Sequence, residues 1–338
     1  MTLTFTLPGE LSAAEPPEAR GLTRDGVRLL VAGPQGLTHT TFAALPDHLR
    51  PGDLVVINTS PTLAAAVEAR RADGRHVAVH FAGHRPDGSW VVEIRPARQA
   101  TGPVQDIVVG ERFTVSGLTL IAREPVDARL WTVTVDGDVL ELLASHGKPI
   151  SYAYVHGSWP IADYQTVFAQ DDRGSGSAEM PSAGRPFSTR TITDLVAKGV
   201  AVAPIVLHTG VSSAEKGEPP QAEPYRVPAP TARLVELTRA NGGRVVAVGT
   251  TVTRALETVA DPDGTVHAGE GWTELVLGPD RPARVVTGLV TGWHAPGASH
   301  LSLLEAVAGQ ELVAKAYAEA VARRYLWHEF GDSCLLLP

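Results

Sequence analysis

Residues 245–257, Val245-Val246-Ala247-Val248-Gly249-Thr250-Thr251-Val252-Thr253-Arg254-Ala255-Leu256-Glu257, constrain the fold more than any other stretch. Four consecutive apolar residues read as a buried strand. Gly249 permits a tight turn, and Thr250 and Thr251 are placed to cap a helix carrying Arg254 and Glu257. Strand, turn and helix N-terminus would aim unpaired backbone N–H groups at one point, a place to hold a carboxylate or phosphate. The stretch is not a P-loop, because no Gly-Lys-Ser/Thr follows, and it lacks the dinucleotide glycine fingerprint.

A chain of 338 residues is sized for two domains. No run of apolar residues is long enough for a transmembrane helix, and the first twenty residues lack the basic-then-apolar order of a signal peptide. Cys334 is the single cysteine, which rules out an internal disulfide and fits a reducing cytoplasm. The net charge of −8 counts against binding dominated by phosphate contacts. A local patch would have to come from Arg20, Arg24 and Arg28 or from Arg70, Arg71 and Arg75, which read equally well as scattered solvated charges.

Texture changes along the chain. Thr2 to Leu7 and Val27 to Ala32 read as short strands, and Pro51-Gly52-Asp53 turns into a buried strand from Leu54 to Ile57. Between about 60 and 147, short alternating strands with Asp87-Gly88 and Asp136-Gly137 turns suggest a small antiparallel barrel. His76 and His80 share one strand face there. With no third ligand, a solvated polar face is expected rather than a metal site.

From about 150, strands and helices alternate. Helices are expected over Thr191–Lys198, Pro230–Ala240, Thr253–Ala260, Leu301–Ala308 and Gln310–Tyr325. Strands are expected over Val200–Leu207, Val245–Val248 and Val285–Val290. The expected fold is α/β (α+β mixed): an open α/β-barrel-like main domain from 1–56 and 150–338, with residues 57–149 inserted as a small antiparallel β-barrel.

Three loops follow strands of the second half: His208-Thr209-Gly210, Gly249-Thr250-Thr251, and Thr291 to Pro296 with Trp293 and His294. Sites in α/β folds gather at carboxyl ends of strands, so these loops are expected to converge. Tyr164-Gln165-Thr166-Val167-Phe168-Ala169 reads as an aromatic strand. The Gly- and Ser-rich stretch from Gly174 through Ser182 to Gly184 follows it as a backbone-rich loop suited to a polar ligand.

The wording of these segments resembles the S-adenosylmethionine:tRNA ribosyltransferase-isomerases of queuosine synthesis over nearly the whole chain. AVGTTVTRALE at 247–257 is similar to the family's AVGTTSVRALE. YQTVFA at 164–169 resembles YQTVYA, PSAG at 181–184 resembles PTAG, and LHTG at 207–210 resembles LHVG. LVTGWHAPGAS at 289–299 resembles LVTNFHLPES, and Tyr325 with FGD at 330–332 resembles the family's ending.

The resemblance implies transfer and isomerisation of the ribosyl unit of S-adenosylmethionine onto 7-aminomethyl-7-deazaguanine in tRNA. The product is epoxyqueuosine, with adenine and methionine released. Such chemistry needs a base for the carbon beside the sulfonium and an acid for adenine. His208, Glu223, His294 and Asp332 are the acid–base candidates. Tyr164, Phe168 and Trp293 would face the sulfonium or adenine. Gly249, Thr250, Thr251 and Arg254 would hold a carboxylate or ribose hydroxyl, and Gln165, Thr166, Ser182, Gly184, Thr209, Gly210 and Pro296 would complete the binding loops. S-adenosylmethionine is thus expected as substrate, with tRNA as partner, no cofactor, no metal, no membrane, and a monomeric state.

Departures from the family cluster. Asn58-Thr59-Ser60-Pro61-Thr62-Leu63-Ala64-Ala65-Ala66 stands where the family carries two arginines, and Glu218 to Glu223 replaces a histidine-rich segment. Loss of arginines fits a donor pocket kept better than an RNA surface. Two rivals therefore stand beside the family reaction: a paralogue using a non-tRNA small-molecule acceptor, and a non-catalytic nucleoside or RNA binder.

Overall fold

The computed structural model describes residues 3–97, 102–170, 175–211 and 220–338. In chain order the strands before the barrel are β1 (Arg28–Gly33), β2 (Gly36–Thr41) and β3 (Leu54–Asn58). The barrel strands are β4 (Ala66–Arg71), β5 (His76–His84), β6 (Trp90–Pro96), β7 (Arg112–Val115), β8 (Leu118–Pro125) and β9 (Leu130–Val135), followed by helix α1 (Val139–His146). Then come α2 (Thr189–Ala197), β10 (Ala201–Leu207), β11 (Glu223–Val227), α3 (Ala229–Ala240), β12 (Val245–Val248) and α4 (Gly249–Thr258). The chain closes with β13 (Gly269–Thr273), β14 (Gly288–Thr291), α5 (His300–Ala308), α6 (Gln310–Ala322) and β15 (Ser333–Leu336).

An open mixed sheet of nine strands, ordered β13-β11-β10-β3-β12-β14-β15-β1-β2, forms the main body. At its centre β10, β3, β12 and β14 run parallel. All residues of β3, β12 and β14 are buried, as expected for apolar strands covered on both faces. Alternate residues feed two cores. Val56, Ala247 and Leu289 join α4, α5 and α6 on one face, while Val55, Val246 and Val290 join Phe42, Phe187 and Leu195 on the other. Because the four strands are parallel, their carboxyl ends, Leu207, Asn58, Val248 and Thr291, lie along one edge of the sheet.

The β-rich segment closes as the six-stranded antiparallel barrel β4-β5-β6-β9-β8-β7, inserted in the chain between β3 and β10. Val79, Val92, Ile94, Phe113 and Leu120 fill it. His76 is exposed, but His80 is 5% exposed, with Nδ1 3.7 Å from the Glu93 carboxylate. The expected solvated face therefore ends before His80, which lies opposite Glu93 of the neighbouring strand β6.

Other local expectations are corrected. Residues 3–7 form no strand; Phe5 presses its ring on Tyr317 and Trp327 instead, and Thr2 lies outside the described residues. Residues 164–169 form no aromatic strand: Tyr164 closes a 3₁₀ turn (Ile161–Tyr164), and the amide of Gln165 bonds Thr62 N and O at 3.0 and 2.7 Å. The last strand before α5 begins at Gly288. The N–H groups of Val285 and Val286 instead bond the buried Glu257 carboxylate at 2.8 and 3.1 Å. Helix α6 stops at Ala322, ahead of Arg324 in a left-handed conformation (φ 55°).

Candidate active site

A cavity of about 450 Å³ opens over the carboxyl ends of the central strands, a volume suited to a nucleoside-sized ligand. Helix α4 begins at Gly249 itself, directly after β12, so Thr250 and Thr251 lie within its first turn rather than capping it from outside. Gly249 has φ 89°, a conformation that disfavours a side chain, and a Cβ there would stand 3.2 Å from Ala183 Cβ. All three residues line the cavity, so the free N–H groups of this helix end face it. Asn58 braces the floor: its amide donates to Leu207 O at 2.8 Å, and its Oδ1 accepts from Leu207 N and Ser60 N.

Tyr164, Ser182, Thr209, Gly210, Trp293 and Pro296 also line the cavity. Trp293 contributes little surface, at 1% exposed, because its ring sits among Tyr317, Tyr325 and Trp327. His294 lines the cavity with Nε2 3.1 Å from Thr291 Oγ1. Burial, with smaller contributions from His300 and His328, holds its pKa well below the usual histidine range, so the ring stays neutral.

Glu223 lines the cavity on β11. One oxygen accepts the Gly210 N–H at 3.0 Å and the other meets the Arg254 guanidinium. Burial raises its pKa, and Arg254 opposes that shift. Arg254 is fully engaged with protein groups. Nε donates to Leu275 O at 3.2 Å, and Nη2 donates to Gln221 O and Thr273 O at 2.9 and 3.0 Å. Arg254 lines the cavity as expected, with these donors directed at protein groups: it neutralises Glu223 and ties α4 to the β11–β13 edge.

Six expected site residues lie outside the cavity lining. His208 Nδ1 lies 2.7 Å from Ser60 Oγ, which lies 2.7 Å from Ser177 Oγ, so the ring is turned into a hydroxyl chain between loops. Asp332 accepts from Arg28 N, Arg28 Nε and Leu326 N at 2.8, 3.0 and 2.7 Å, which makes it the pin of the closing loop. Gln165 clamps Thr62, and Phe168 packs on Phe187 with centroids 5.1 Å apart. Thr166 and Gly184 pack on each other, a Cβ at Gly184 lying 3.2 Å from Thr166 Cγ2. Gly174 and Glu218 lie outside the described residues.

The cavity also holds groups that the sequence did not single out. Tyr152, Tyr154 and His328 form a continuous stack, with centroids 5.9 and 4.2 Å apart and planes within 19° and 18°. Tyr152 donates to Glu179, and Tyr154 donates to Glu329 at 2.5 Å. His300 stacks on His294 at 4.5 Å. The one sequence signal was the Tyr152-Ala153-Tyr154 alternation; the others are isolated residues that only the fold assembles. Of the six arginines considered for an RNA patch, Arg20 bonds Phe330 O, Arg24 bonds Gln165 O, Arg28 pairs with Asp332, Arg71 pairs with Asp106 and Glu111, the exposed Arg75 pairs with Asp73 and Asp106, and the exposed Arg70 lies 3.0 Å from His76 Nε2. Among the described residues, no group of three acids, histidines or cysteines is arranged for a metal, and no helix is long and apolar enough to cross a membrane.

An open α/β sheet with a ligand-sized cavity at its strand ends and an inserted barrel defines a class of substrate-binding enzyme fold. The family model described as "Queuosine biosynthesis protein" matches residues 1–336, and the chain belongs to that family. It is 36% identical to the S-adenosylmethionine:tRNA ribosyltransferase-isomerase of Symbiobacterium thermophilum, with 98% of each chain covered. It is 32% identical to the enzyme of that name from Thermotoga maritima, again over 98% of each. The crystal structure of an S-adenosylmethionine tRNA ribosyltransferase from Thermotoga maritima matches with a TM-score of 0.54 and 30% identity, covering 99% of both chains.

Proposed function

We propose that this protein is an S-adenosylmethionine:tRNA ribosyltransferase-isomerase that forms epoxyqueuosine from 7-aminomethyl-7-deazaguanine in tRNA, releasing adenine and methionine. One observation carries the reading beyond family membership. A single cavity combines a helix N-terminus suited to a carboxylate with the Glu179 carboxylate, which suits a sulfonium. S-adenosylmethionine carries both charges on one molecule.

In this reading the first turn of α4 holds the methionine carboxylate. His294, held neutral and oriented by Thr291, takes the proton from the carbon beside the sulfonium, and that C–H electron pair stays on carbon. Burial of the site keeps water from competing. S-adenosylmethionine is a substrate rather than a resident cofactor. We further assign the barrel as a domain inserted into the main domain, its start moved from residue 57 to beyond Asn58 because β3 runs to Asn58 in the main sheet, and a monomer working in the cytoplasm.

A second reading, with a small-molecule amine as acceptor, is favoured by Arg20, Arg24 and Arg28 being committed to partners within the chain. Calorimetric titration with S-adenosylmethionine tests the donor site common to both. Saturable binding supports it, and absence of binding contradicts both enzyme readings.

A further inference from the structure

Glu329 differs from Glu223, a second carboxylate of the cavity. Glu223 is matched by Arg254. The groups that set the charge of Glu329 are Tyr154, its own backbone N–H and the Glu179 carboxylate, none of them a cation. The loop that presents it is held in a costly shape: His328 has φ 70°, in the left-handed region. A Cβ on Gly331 would stand 2.4 Å from Leu326 O, so the turn admits only glycine there. Strain of this kind persists where surrounding packing fixes it. Here the Tyr154–His328 stack and the Asp332 pin supply that packing.

We infer that Glu329 is a further catalytic residue of the cavity, the base that activates an amine acceptor, with Tyr154 as its positioning residue. The inference rests on the proposed reaction. The acceptor enters as an ammonium on a flat ring, which Glu329 can attract beside the Tyr154–His328 stack. An N–H bond of the ammonium breaks, its electron pair stays on nitrogen, and the proton forms an O–H bond on Glu329. The neutral nitrogen then has the lone pair needed to form the new N–C bond.

The groups facing Glu329 are Tyr154, Tyr152, Tyr164, Glu179 and His328, with Arg24, Arg185 and Asp332 behind the loop. Arg24 and Arg185 pair with Glu18, and Asp332 with Arg28. Burial, reinforced by Glu179, pushes Glu329 up to about 7, close to the pH at which a general base works best.

The test is the pH dependence of single-turnover product formation by the full chain, supplied with S-adenosylmethionine and tRNA carrying 7-aminomethyl-7-deazaguanine. The wild-type rate rises with pH through about 7. Glu329→Gln loses that limb and slows by about 100-fold or more, with S-adenosylmethionine affinity unchanged by calorimetry. Tyr154→Phe removes the donor that favours the carboxylate, and moves the midpoint upward by about one unit. It supplies the decisive shift if Glu329→Gln does not fold. A Glu329→Gln enzyme with the wild-type rate and profile, or a Tyr154→Phe enzyme with an unmoved midpoint, overturns the role of Glu329 alone. A wild-type protein that turns over no such tRNA refutes the underlying reaction and this role with it.

Discussion

The imidazoles of His294 and His300 lie face to face, centroids 4.5 Å apart and planes within 1° of parallel. Two rings so placed in a buried cavity cannot both carry a proton without strong repulsion. Burial holds His294 well below the usual range and brings His300 and His328 down to about 4.

These shifts give stability a definite pH dependence. An unfolded histidine titrates near 6.5, so between about 6.5 and 4 the unfolded chain binds protons that the folded chain excludes. Stability is therefore fully present above about 6.5 and lost as pH falls, on the order of 3 kcal/mol for His300 alone. Glu329 acts in the opposite sense: its raised pKa contributes stability at low pH that is lost as pH rises through about 7. Melting temperature against pH should fall steeply on the acid side for the wild type and more shallowly for His300→Leu. Equal slopes would show that the pair is not held neutral.

Gly249→Ala places a methyl group 3.2 Å from Ala183 Cβ on a residue with φ 89°. We expect a stability loss of about 1–3 kcal/mol by denaturant titration. S-adenosylmethionine affinity should fall further than stability does, because the first turn of α4 is displaced. An unaltered affinity would remove the helix end from the binding site.

Arg254 and Glu223 should respond unequally. Arg254→Ala leaves the Glu223 carboxylate buried without its partner and three carbonyls without a donor, which should cost about 3–5 kcal/mol. Glu223→Gln keeps those carbonyl bonds and should cost much less. Equal losses in a double-mutant cycle would contradict the assignment of Arg254 as an internal tie.

Asp332→Asn separates structure from chemistry. The side chain bonds Arg28 and Leu326 and does not line the main cavity. Melting temperature should drop, while turnover per folded molecule stays within about threefold of wild type at a temperature where both are folded. A loss of kcat without loss of stability would return Asp332 to the catalytic set.

Much of this fold was legible in the sequence for a physical reason. Buried parallel strands require unbroken apolar runs, which Leu54–Ile57 and Val245–Val248 display, and barrel strands require alternation, which Arg112–Val115 displays. The loops after those strands were legible because the chain direction places them together. Glu179, His300, His328 and Glu329 were not, since each is a single polar residue brought to the cavity by packing between distant segments. Arg254 misled because a helix-start arginine near a glycine turn looks like an anion receptor. Only the tertiary contacts show its donors directed at Glu223 and three carbonyls.

The most direct measurement is release of adenine and methionine from S-adenosylmethionine by the purified protein, with tRNA carrying 7-aminomethyl-7-deazaguanine as acceptor. The proposed reaction predicts that both products appear only with that tRNA, and that the base acquires the ribosyl-derived carbons. Binding of S-adenosylmethionine with no release in the presence of that tRNA would contradict it.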